Sequence, residues 1–113
     1  MDMKEQQFGI EIELTGVTRK HAAEVAAAYF GTTSYYEGTY YNTYVALDGQ
    51  GRQWKFMSDA SIAPERKEGK HKVGASDEYK TEMVSPICHY EDIETIQELV
   101  RKLREVGAIA NKS

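Results

Sequence analysis

The chain has 113 residues, 41% hydrophobic and 28% charged, which is enough for one core but too short for two domains. Its 18 acidic residues against 14 lysines and arginines give a net charge of −4, which argues against a nucleic-acid binder working through bulk positive charge. The single cysteine excludes an internal disulfide framework, and no apolar run approaches the ~18 residues of a membrane span.

The opening MDMKEQQFG lacks the apolar stretch of a signal peptide. The expectation is therefore one cytoplasmic domain over residues 1–113, with neither nucleic acid nor membrane as partner. Residues 8–15 (FGIEIELT) alternate strictly and predict a strand: Phe8, Ile10, Ile12 and Leu14 on one face, Gly9, Glu11, Glu13 and Thr15 on the other. Thr18 then caps a helix over 19–30 that Gly31 ends, with Ala22, Val25, Ala26, Tyr29 and Phe30 as its buried stripe. Residues 32–39 read as a loop. Residues 40–47 and 52–58 flank Asp48-Gly49-Gln50-Gly51 and predict a hairpin, with Trp54, Phe56 and Ser58 on one face and Lys55, Met57 and Asp59 on the other.

Residues 60–78 are irregular, with a charged, flexible loop over about 62–78 that contains ERKEGKHK. A short strand over 79–85 carries Glu82 and Val84 on one face and Thr81, Met83 and Ser85 on the other, and Pro86 ends it. A helix over about 92–106 follows, with Ile93, Ile96, Leu99, Val100, Leu103 and Val106 as its apolar stripe. Gly107 stops it, and residues 108–110 begin a last strand. This order predicts an α+β fold: a largely antiparallel sheet of about 4–5 strands with two helices on one face and the glutamates on the open face.

Glu11 and Glu13 lie two residues apart on one strand face, so their side chains project to the same side about 7 Å apart. Carboxylates that close repel unless a cation sits between them or water screens them. Mg²⁺ takes oxygen ligands and commonly joins one or two carboxylates to a nucleotide's phosphates, so Glu11 and Glu13 form half of a candidate metal site. Glu82 is the third acid that a neighbouring strand could add. The same spacing also describes the wet face of a one-sided sheet, and spacing alone does not separate the two.

Three blocks, FGIEIELTGVTR at the start, RQWKFMSDASI at 52–62 and TEMVSPI at 81–87 before an amphipathic helix, resemble the amidoligase family in order and spacing. That family belongs to the carboxylate–amine ligases, whose fold looks like glutamine synthetase and glutamate–cysteine ligase. The resemblance implies an ATP- and Mg²⁺-dependent ligase acting on a nucleotide and a small carboxylate, amine or peptide substrate. It implies that Glu11, Glu13 and Glu82 are metal and nucleotide ligands, and that Asp59 and Ser61 line the substrate end as catalytic residues. The family pattern continues into G-x-H-x-H after the helix, whereas this sequence ends at ANKS. The chain thus corresponds to the amino-terminal part of a glutamine synthetase-like catalytic domain, expected to be inactive alone. The alternative is a non-catalytic binding or oligomerisation module that keeps half the ligase fold and forms homo-oligomers through an exposed sheet edge.

Other residues have plainer readings. Lys67, Lys70, His71 and Lys72 belong to a solvated loop rather than a phosphate flap, and no glycine-rich phosphate cradle exists. His21, His71 and His89 are scattered without zinc spacing. Cys88 reads as a buried, inert thiol. Tyr35, Tyr36, Tyr40, Tyr41 and Tyr44 read as sheet packing rather than a stacking platform, and Trp54 as core.

Overall fold

The computed structural model describes residues 6–39, 41–58 and 79–111. The charged loop, with Lys67, Lys70, His71 and Lys72, lies outside the described residues, as do Tyr40, Asp59 and Ser61. The elements run β1 (Gln7–Phe8), β2 (Glu11–Thr15), α1 (Arg19–Phe30), β3 (Ser34–Tyr36), β4 (Tyr44–Leu47), β5 (Gln53–Met57), β6 (Lys80–Val84), β7 (Cys88–His89), α2 (Ile93–Glu105) and β8 (Ile109–Asn111). A 3₁₀ turn at Tyr90–Asp92 leads into α2. The α+β reading holds, but six strands form the main sheet, in the order β3-β4-β5-β6-β2-β8, and every pairing in it is antiparallel.

Helix α1 forms where its local signals place it. The Thr18 Oγ1 accepts the His21 backbone N–H at 3.1 Å, and Gly31 closes the helix in the left-handed region at φ 76°. Its buried residues are four alanines, Ala22, Ala23, Ala26 and Ala27, while Val25, Tyr29 and Phe30 pack at the margin. Small side chains let the helix backbone lie close to the sheet. Helix α2 buries Leu99 and Leu103. Ile93 and Val106, at the ends of its predicted stripe, stay partly exposed. Between helices and sheet lie Leu14, Trp54, Phe56 and Met83, all essentially buried, with the Phe30 and Trp54 rings 5.4 Å apart.

Three strand expectations need correction. Residues 8–15 are not one strand: β1 pairs with β7 in a separate two-stranded ladder, and the chain breaks at Gly9–Ile10 before β2 begins. Phe8, Ile12 and Leu14 pack on the core as expected, whereas Ile10 sits half-buried at the break. Residues 32–39 are not all loop, because β3 pairs with β4, placing Tyr35 opposite Val45. The sheet therefore exceeds the expected 4–5 strands. At the other side of β2, Gly16 has φ 85°, and a Cβ built there would lie 2.4 Å from the Gly107 carbonyl oxygen. A side chain at Gly16 would push apart the turn after β2 and the turn that delivers β8.

Candidate functional site

The helices cover one face of the sheet, and the other carries the acidic residues. Alternation puts Leu14, Met83 and Phe56 toward the helices, which leaves Glu11, Glu13, Lys80, Glu82, Val84, Lys55 and Met57 on the opposite face, open at Glu11 and Glu13 but closed over Val45 beside Lys55. Register then decides which of these meet. Glu13 is paired with Glu82, and Glu82 in turn with Met57 on β5. Directly opposed residues in an antiparallel pair have Cβ atoms about 5 Å apart. Glu11 lies one pleat along, opposite Val84, so the predicted trio is a cross-strand pair with an offset third member. Glu11 and Glu13 are exposed and Glu82 half-buried.

Among the described residues, no three His, Cys, Asp or Glu side chains converge closely enough to hold a metal ion by themselves. A Mg²⁺ ion does not need such a cage, since it keeps waters and takes one or two carboxylates together with phosphates. The Glu13–Glu82 pair has that donor chemistry. The open face also carries cations. Lys55 lies beside Val84 in the row that contains Glu11, and its Nζ is 3.8 Å from a Glu37 carboxylate oxygen.

Beyond Glu11 the ladder ends in a way that shapes a cleft. Ile10 and Ser85 would form the next pair. The Ser85 N–H donates to the Ile10 carbonyl at 3.0 Å, but the return bond from the Ile10 N–H goes to the Ser85 hydroxyl, also at 3.0 Å. Pro86 turns the chain away here, and the hydroxyl takes the place of the missing backbone acceptor while donating to the Pro86 carbonyl at 2.8 Å. Gly9, Ile10, Glu11, Val84 and Ser85 line a cleft of about 410 Å³ at this point.

The segment leaving β6 is held by an ionic network that sequence reasoning missed. Arg52 follows the β4–β5 turn and donates Nε to Asp48 Oδ2 at 2.9 Å. Its two terminal nitrogens donate to Asp92 at 3.1 and 3.0 Å, and Nη1 also reaches the Ile87 carbonyl at 3.4 Å. The buried Asp48 further accepts the Trp54 indole N–H at 2.9 Å and the Gln50 and Arg52 backbone N–H groups, both at 2.9 Å. Asp92 accepts the His89 N–H at 2.8 Å. Burial pushes the Asp48 carboxyl up, but its hydrogen bonds and the Arg52 charge outweigh this and hold it below the usual carboxylate range. The Arg52 guanidinium holds Asp92 low and is itself raised by that bond. The signal present in the sequence was the aspartate opening the turn, four residues before an arginine.

The plainer expectation for the cysteine is met. Cys88 is buried and burial raises its thiol pKa, as an inert thiol requires. The Tyr36 and Tyr44 rings pack across the sheet 4.8 Å apart, and Tyr35 accepts a hydrogen bond from Gln53 at 3.0 Å. No helix among the described residues is long and apolar enough to cross a membrane.

The family model described as putative amidoligase enzyme matches residues 4–113. No curated protein and no solved structure matches the chain.

Proposed function

The chain belongs to the amidoligase family, and from that premise we propose that it serves ATP- and Mg²⁺-dependent joining of a carboxylate to an amine. The observation that carries this reading is the register of β2 on β6, which sets Glu13 opposite Glu82 on the open face of the sheet with Glu11 one pleat along. An antiparallel sheet with both described helices on one face supports reading the fold as glutamine synthetase-like.

In such ligation a substrate carboxylate oxygen attacks the γ-phosphorus of ATP and ADP leaves. An amine nitrogen then displaces phosphate from the acyl phosphate and gives up its proton. Mg²⁺, when bound, neutralises the phosphates and polarises the transferring oxygens. The chain's own residues supply position and charge. Glu13 and Glu82 would hold the cation from two adjacent strands, and Glu11, one pleat along, stays outside that pair. The core side of the same strands, through Leu14 and Met83, fixes both backbones. Lys55 offers the phosphates a positive charge from the next strand, because its ion pair with Glu37 is long and exposed to water. Asp59 and Ser61 keep the substrate-lining roles that family membership suggests.

The experiment is calorimetric titration of the chain with ATP in the presence and absence of Mg²⁺. Binding that requires Mg²⁺ and weakens in Glu13→Gln and in Glu82→Gln supports the proposal. Absence of Mg²⁺-dependent binding, or equal affinity in all three proteins, overturns it.

A further inference from the structure

Gly9 sits at the break between β1 and β2. Its φ lies outside the left-handed region, and a Cβ built on it would meet no atom within 4 Å. Gly16, by contrast, is demanded by both its φ and its packing. A glycine at this break leaves the backbone open to approach. The space over Gly9 belongs to the open-sided cleft of about 410 Å³.

The lining says what fits there. Ile10 and Val84 supply apolar walls. Ser85 is already committed, accepting from Ile10 and donating to Pro86, so it holds the cleft's shape rather than meeting a ligand. Among the described residues that line it, Glu11 is the charged one. At the described lining an ammonium group finds a carboxylate next to apolar surface, with Lys55 on the far side of Val84 in the same row. We infer that the cleft over Gly9 binds the amine substrate, a small primary alkylamine that points its ammonium group at Glu11. This rests on the ligation reading, which requires an amine and places the nucleotide one pleat along at Glu13 and Glu82.

The test is solution NMR of the backbone amides of the chain, titrated separately with n-butylammonium at neutral pH, with n-butanol as its uncharged counterpart, and with Mg²⁺–ATP. The inference expects saturable shifts at Gly9, Ile10, Glu11 and Val84 with n-butylammonium and none with butanol. It expects Gly9→Ala to weaken the amine about tenfold, as one misplaced methyl does in a filled pocket, while the melting midpoint moves by less than about 4 °C. Val84→Phe fills the cleft from the facing wall and gives the same loss independently. Equal shifts with amine and alcohol, no shifts with either, or undiminished amine binding in both variants would overturn the inference. So would Mg²⁺–ATP shifting these four amides and losing affinity in Gly9→Ala, which would put the nucleotide in the cleft. Amine binding as expected, with no Mg²⁺–ATP binding anywhere, would overturn the nucleotide reading and leave the cleft assignment standing.

Discussion

Arg52 donates to Asp48 in its own turn, to Asp92 before α2 and to the Ile87 carbonyl, so one side chain ties the β4–β5 turn to the chain leaving β6. Replacing it by methionine leaves two largely buried carboxylates without their cation, and we expect Arg52→Met to cost about 3 kcal/mol in urea unfolding at pH 7. The two carboxyls also set an acid limb. Both bind protons more weakly folded than unfolded, so the unfolded chain carries more protons in acid and stability rises with pH there. Their contribution is complete above the unfolded carboxyl value of about 3.9 and is lost as pH falls through the lower folded values. The urea midpoint should hold from pH 7 to about 5 and then fall below about pH 4. Arg52→Met should flatten that fall. Cys88 gives a separate check: a buried thiol with a raised pKa should react slowly with a thiol reagent in the native chain and rapidly in denaturant. Fast labelling of the native protein would contradict its placement.

The elements differ in how far the sequence reveals them, and the difference follows contact range. Helix α1 is legible because Thr18, the alanine run and Gly31 act within a few residues of one another. Thr18→Ala should therefore destabilise by about 1 kcal/mol, read as a lower unfolding midpoint. The β4–β5 hairpin is legible for the same reason. The β1–β7 ladder joins residues about eighty positions apart, and β3 depends on a register with β4 that no local residue announces. The break at Gly9–Ile10 was hidden by strict alternation, which continues through 8–15 although the backbone pairing does not. For the site, the acidic face of β2 was readable from its period of two, and Glu82 from its place in a strand. Their direct opposition was not, because it follows from β6 lying between β5 and β2 in the sheet order. The Arg52 network was out of reach in the same way, since Asp92 is 40 positions from Arg52.

The whole molecule divides its labour between two sides of one sheet. The helix side makes the protein stable, through Trp54, Phe56, Met83, Leu14, Leu99 and Leu103. The open side sets glutamates against each other across β2 and β6, an arrangement that opposes stability slightly, because directly facing like charges repel across strands. Glu13→Gln should accordingly not lower the melting midpoint of the metal-free chain, which separates a binding role from a structural one. The amine cleft and the Glu13–Glu82 pair lie at successive steps along the same two strands, so two substrates could meet there without any rearrangement of the core. The most direct test of this account is the affinity of the chain for Mg²⁺–ATP before and after Glu13→Gln. The account predicts Mg²⁺-dependent binding that weakens at least about tenfold, roughly the worth of one lost charge-assisted contact, with an unchanged or higher melting midpoint. Affinity that is unchanged by the substitution, or independent of Mg²⁺, would contradict it.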